Sequence, residues 1–182
     1  MKNSIISDNL KPKAKTLLIM AAACFILFAG LSAGCQDNTV IKNYQGVEYD
    51  EIDGVSTKLE DCFGKKLTIV LNYCTWDPVS LQQLQSLVEI NKKYGNAGLG
   101  IIVFIYDDTD TMRIKYLKKS QGCKFPIFLA DSRAVQIFGD DEIVPGMLIF
   151  DDKMKIQKKV KGYIDSDNLS SVLKNYLNIS EF

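Results

Sequence analysis

Leu67–Ser80 reads LTIVLNYCTWDPVS, and its interpretation fixes that of the remaining chain. Leu67–Tyr73 is a short, almost unbroken apolar run, the pattern of a central strand buried on both faces of a parallel sheet. Cys74, Thr75 and Trp76 follow, and then Asp77-Pro78, an N-cap residue with proline at the first helical position. From Pro78 to Tyr94, Leu81, Leu84, Leu87, Val88 and Tyr94 make one apolar helical stripe. The stretch therefore runs from buried strand through a tight turn to a helix N-terminus, where free amides and the helix dipole converge.

Downstream, Asn96–Gly98 reads as a turn and Leu99–Ile105 (LGIIVFI) as a second buried strand. Asp107, Asp108 and Asp110 follow it. They lack the ligand ladder and distal glutamate of a calcium loop, so they are read as a loop and helix N-cap. Thr111–Ser120 is a helix candidate closed by Gly122. Phe125–Ala130 (FPIFLA) is a third apolar strand, and Asp131–Phe138 a short helix with Gly139 at its C-cap. Met147–Phe150 and Ile156–Tyr163 form an antiparallel hairpin whose lysines read as a gatekept, solvated edge instead of a basic binding patch. Asp165–Leu177 closes the chain as a helix carrying Leu169, Val172, Leu173 and Tyr176 on one face. Upstream, Gly46–Leu59 alternates around Asp53-Gly54 and predicts a β-hairpin, while Glu60–Lys66 is a polar turn.

The chain has 182 residues, 47% hydrophobic and 24% charged, which suits one globular domain with an appendage. Formal charge is zero overall, but residues 36–182 hold 18 Lys and Arg against 21 Asp and Glu, a net of −3. That argues against a nucleic-acid partner. Histidine is absent, which removes Ser-His-Asp and Cys-His catalysis and the commonest zinc sites. No metal site and no cofactor is expected. The five cysteines, Cys24, Cys35, Cys62, Cys74 and Cys123, contain no CxxC pair.

The N-terminus has its own logic. A polar, lysine-bearing start precedes the apolar core Thr16–Gly30, and Leu31-Ser32-Ala33-Gly34-Cys35 follows. LSAGC resembles the bacterial lipobox, in which the cysteine is lipidated and becomes the mature N-terminus; the alternative is an uncleaved signal anchor. The apolar stretch is short for a membrane span of roughly 20 residues. The expected organisation is a signal peptide over 1–34, a lipidated Cys35 with its tether over 35–45, and a folded domain over 46–182. The expected location is the cell envelope, on a membrane and facing outside the cytoplasm.

The order of elements from Val47 to Leu177 resembles the thioredoxin superfamily, in its TlpA/ResA-like or alkyl-hydroperoxide-reductase ("redoxin") branch. LEDCFGKK is similar to the family's L-S-D-x-x-G-K lead-in, LNYCTWDPVS falls where the family writes N-F-W-A-T-W-C-P-P-C, and IVPGMLIFDDKMKI looks like G-x-P-T-x-F-L-I-D-x-x-G-K-I. The resemblance implies an α/β fold with a central mixed sheet flanked by helices and an N-terminal hairpin. It also implies that Pro145 is cis, and that Val144 offers backbone hydrogen bonds to an extended peptide beside Trp76. Gly146 replaces the usual threonine.

The departure lies at the turn. Laid on W-C-x-x-C, the chain has Trp76 and then Asp77-Pro78-Val79-Ser80, so Asp77 stands at the attacking cysteine and Ser80 at the resolving one. Disulfide exchange needs a thiolate there. The degenerate site comprises Cys74, Trp76, Asp77 and Ser80, with Trp76, Val144 and Pro145 as the peptide-binding edge. The expected function is an accessory module that binds an extended peptide or envelope protein and lacks dithiol redox activity. The alternative is a thiol-disulfide oxidoreductase or peroxidase of the redoxin type using Cys74. Against it, Cys74 ends a buried strand and has no resolving partner. Cys123, at the other end of a parallel strand, would lie about 15–20 Å away. Arg113 and Arg133 are both remote in sequence from the turn, where a peroxidase would need one. Cys62 and Cys123 remain as a candidate structural pair.

Overall fold

The computed structural model describes residues 41–139 and 143–177. The signal-like segment, the lipobox and Cys35 lie outside them. The first antiparallel ribbon pairs β1 (Glu48–Asp50) with β2 (Ser56–Lys58), joined through Asp53-Gly54 as expected. A 3₁₀ turn at Leu59–Cys62 leads to β3 (Leu67–Tyr73), every residue of which is buried. Then come α1 (Pro78–Tyr94), β4 (Leu99–Ile105), α2 (Thr111–Gln121), β5 (Ile127–Leu129) and α3 (Ser132–Phe138). The chain closes with β6 (Gly146–Asp151), β7 (Ile156–Lys161) and α4 (Ser166–Leu177).

The main sheet has the order β5-β4-β3-β6-β7, with β3 at its centre, parallel to β4 and antiparallel to β6. Because β3 is covered on both faces, its side chains divide strictly by parity. Leu67, Ile69, Leu71 and Tyr73 pack with Leu84 and Leu87 of α1 and with Leu169 and Leu173 of α4. Val70 packs on the opposite side with Phe104, Phe138 of α3 and Tyr49 of the ribbon. Tyr49, Phe128 and Phe138 ring Phe104 at centroid distances of 5.3, 5.5 and 5.4 Å. The tilted and edge-on geometries are those the ring quadrupoles favour.

Three details differ from the sequence reading. β5 is only three residues long and pairs with the last three of β4, Val103–Ile105. Cys62, by contrast, lies where β4 begins: a side chain on Gly100 would meet its carbonyl at 2.8 Å. Cys123 belongs to the core on one face of the sheet and Cys62 packs against the core on the other, and both are free thiols and not a disulfide. The segment read as the end of the tether packs on the domain. Ile41 is buried, its amide donates to the Met154 carbonyl at 3.0 Å, and Tyr44 stacks edge-on against Phe63.

Gly64 and Gly100 explain the glycine in the lead-in EDCFGKK. A Cβ on Gly64 would stand 2.2 Å from the Gly100 amide, and one on Gly100 would stand 2.3 Å from the Gly64 amide. Two backbones cross there at a distance only glycine permits. The crossing seats the start of β3 against β4, and so fixes where β3 ends and the turn begins.

Candidate functional site

The turn Cys74–Asp77 sits at the carboxyl end of β3, between the ends of β4 and the start of β6, where open α/β sheets place their ligands. Asp77 caps α1 as its residue type predicts. One carboxylate oxygen accepts from the Val79 amide at 3.1 Å, and the other from the Ser80 amide at 2.8 Å and the Ser80 hydroxyl at 2.7 Å. Its own carbonyl takes the Leu81 amide and starts the helix. Partial burial works to raise the Asp77 carboxyl, but the Ser80 hydroxyl and the two amides outweigh it and hold it below the ordinary carboxylate range. Asp77 is therefore ionised near neutral pH, and its oxygens occupy the very amides that would stabilise a thiolate at this position.

Ser80 is fully buried with its hydroxyl on Asp77. Cys74, the sulfur of the degenerate turn, is 6% exposed. Burial first, then the negative charges of Asp107 and Asp77, push its thiol above the ordinary range, so it stays protonated near neutral pH. A thiol in that state is a poor nucleophile. Trp76 is the opposite case, 70% exposed on the turn.

One contributor was not picked out in the sequence. Asp107, just past β4, accepts from the Thr75 amide at 2.8 Å and is also hydrogen-bonded by the Thr75 hydroxyl. It stitches the turn to the neighbouring strand. The three-acid cluster was read as loop and N-cap, and Asp110 is indeed the cap of α2. The signal that would have distinguished Asp107 is its place directly beyond a strand parallel to β3. Among the described residues, no group of three or more His, Cys, Asp or Glu side chains is placed to hold a metal ion.

On the other flank, Gly146 pairs with Asn72, which brings Pro145 beside the end of β3. The Val144–Pro145 peptide bond is cis, as the resemblance implied. Pro145 is buried, Val144 half-buried, and the Pro145 carbonyl accepts from the Gly162 amide at 2.8 Å. The structure thus puts Trp76, Asp77, Ser80 and Pro145 at one end of the sheet.

A central strand leading into a Pro-started helix, flanked by a cis-proline loop, defines a thioredoxin-like protein. The Redoxin family model matches residues 37–176, and the chain belongs to the Redoxin family. Solved structures agree on the fold. A thiol:disulfide interchange protein of the thioredoxin family from Chlorobium tepidum TLS is similar, with a TM-score of 0.67 at 17% identity, over 80% of this chain and 99% of that one. A putative protein disulfide isomerase from Bacteroides thetaiotaomicron has a TM-score of 0.62 at 18% identity, over 78% and 90%. StoA from Bacillus subtilis has a TM-score of 0.57 at 14% identity, over 69% and 93%. No curated protein matches the chain.

Proposed function

We propose that this redoxin is a lipid-anchored, extracytoplasmic protein that has lost dithiol chemistry and works as a binding or accessory module. The observation that carries the reading is the Asp77–Ser80 pair. Exchange requires a thiolate at the helix N-terminus to attack a sulfur and a second thiol to resolve the mixed disulfide. Here a carboxylate and a hydroxyl bond to each other in those two places. The one sulfur nearby in sequence is buried and held protonated.

What the geometry retains is a surface. The exposed Trp76 ring and the Val144–Pro145 edge flank the same turn, and an extended segment of an envelope protein would lie along that edge by strand-like hydrogen bonding, with Trp76 as its apolar anchor. The anchor at Cys35 is supported by the lipobox-like sequence. The described chain enters the domain at Ile41, which docks on Met154 in the turn that follows β6. That turn lies at the opposite end of β3 from the site, because Asp151 pairs with Leu67.

The test has two arms, both on the full chain in detergent micelles. Insulin reduction by dithiothreitol should run no faster with the protein than without it, and Cys74→Ser should change nothing; acceleration that disappears in Cys74→Ser would establish the oxidoreductase alternative instead. Photo-crosslinking from the Val144 edge in cell-envelope preparations should yield an adduct that Trp76→Ala abolishes. Absence of any Trp76-dependent adduct would remove the binding role.

A further inference from the structure

A second feature opens beside the turn, on the flank away from Pro145. Between α1 and α2 lies a cleft of about 270 Å³ lined by Tyr73, Thr75, Leu81, Arg113, Tyr116 and Leu117, among others. One boundary is tied by the Gln85 side-chain amide donating to Gln121 at 3.0 Å. The walls divide by chemistry. Leu81, Leu117 and the Tyr116 ring are apolar, and Tyr116 is 74% exposed with no ring partner among the described residues. Arg113, Tyr73 and Thr75 supply the polar groups.

Those polar groups are unevenly committed. The Thr75 amide and hydroxyl are both spent on Asp107, which also occupies that carboxylate. Arg113 is in no ion pair among the described residues, whereas Lys118, further along the same helix, is consumed by Glu51 and Asp53. Tyr73 is only 2% exposed, yet its hydroxyl has no hydrogen-bond partner among the described residues. Burial, with Asp107 and Cys123 adding to it and Arg113 opposing, pushes that phenol up to about 12, so near neutral pH it carries its proton. The cleft therefore presents a guanidinium and a phenol hydroxyl, both donors, above an apolar wall.

Two uncommitted donors ask for an acceptor, and a planar guanidinium matches a carboxylate bidentately. The cleft holds one cation with the Thr75-bound Asp107 carboxylate close by, so a phosphate dianion is disfavoured more than a monocarboxylate. The volume is at or below the small end of ligand pockets, about 300 Å³, which admits one aromatic or branched apolar group and excludes a nucleotide. We infer that this cleft binds a monocarboxylate with an aromatic or branched apolar body, its carboxylate on Arg113 and Tyr73 and its body against Leu81, Leu117 and Tyr116. The acid is either a free organic acid or the C-terminal residue of a peptide. The inference uses no residue of the Trp76–Pro145 edge, so it stands or falls separately from the peptide-binding reading.

Trp76 is the sole tryptophan and adjoins Thr75 at the cleft, which makes its fluorescence a reporter. The full chain in detergent micelles is titrated with phenylacetate and with an acetylated tripeptide ending in phenylalanine, each beside its carboxamide, and the heats are followed in parallel by calorimetry. The inference expects saturable binding of at least one acid, and about tenfold or greater weakening both in its carboxamide and in Arg113→Gln. Tyr73→Phe, which removes only the hydroxyl, should weaken the acid and leave the carboxamide unmoved. Binding of phenylacetate identifies a free acid as sufficient; binding of the tripeptide alone identifies a peptide C-terminus. No saturable binding of either acid by about 10 mM, or equal binding of acid and carboxamide, or an undiminished affinity in a folded Arg113→Gln protein, would overturn it.

Discussion

At the scale of single residues, Asp77 carries most of the argument. It satisfies the first amides of α1 with two oxygens and binds the Ser80 hydroxyl, which makes it a strong cap. Asp77→Ala should cost about 1 kcal/mol of stability, the usual worth of such a cap, read as a lower urea midpoint with an unchanged slope. The pH dependence has a definite sign. The folded carboxyl lies below its unfolded value, so its contribution is complete above the unfolded carboxylate range and is lost as pH falls through the folded one. The gap between wild type and Asp77→Ala should accordingly be full at about pH 7 and narrow towards about pH 3. A gap that stayed constant would mean that the carboxylate's charge plays no part. Asp77 as cap was legible in Asp77-Pro78 alone, and the absence of both sulfurs only through the resemblance to the family's W-C-x-x-C. Asp107 was not, because its role depends on β4 lying next to β3, a long-range pairing that local spacing does not encode.

At the scale of elements, the ribbon before β3 shows how separate pieces are fastened. Tyr49 drives into the aromatic cluster, donates its hydroxyl to Asp131 at 2.9 Å, and lies under the Arg133 guanidinium at 4.5 Å. From the other side Lys118 of α2 reaches Glu51 at 2.9 Å and Asp53 at 2.5 Å. Lys118→Met should therefore loosen the ribbon from α2 at a cost of about 1 kcal/mol, the upper range for a partly exposed pair. It should expose amides near Asp53-Gly54 to faster hydrogen exchange. Unchanged exchange in that loop would show the aromatic anchor to be sufficient. The periodicity of β3, β4, α1 and α4 placed these elements close to where they are, since long buried runs and capped helices are locally specified. β5 was overestimated for a physical reason: the apolar run FPIFLA is buried largely by contact with the core, and only its middle meets a strand. The Arg113 cleft was invisible for the same kind of reason, being made by two helices remote in sequence.

At the scale of the whole molecule, one face of the sheet is covered by α1, α2 and α4 and the other by α3 and the ribbon, with the turn at one end and the entry of the chain at the other. This is the thioredoxin-like arrangement expected from the order of elements, and the Redoxin family match and the solved relatives agree with it. No helix among the described residues is long and apolar enough to cross a membrane. The proposed anchoring rests on Cys35, which lies outside the described residues. Metabolic palmitate labelling of the expressed chain should be strong in wild type and absent in Cys35→Ala, with the protein then released from the membrane fraction. Labelling that survives the substitution would remove the lipid anchor from the account.

On the proposed reading, the turn keeps the geometry of disulfide exchange and lacks only its sulfurs. The most direct measurement is insulin reduction with dithiothreitol by the wild type beside the double substitution Asp77→Cys/Ser80→Cys. Both positions already sit at the N-terminus of α1, with Ser80 fully buried and Asp77 on the helix amides. The wild-type rate should be indistinguishable from dithiothreitol alone, and the double variant should accelerate reduction clearly. Acceleration by the wild type, or a well-folded double variant that remains inert, would contradict that reading.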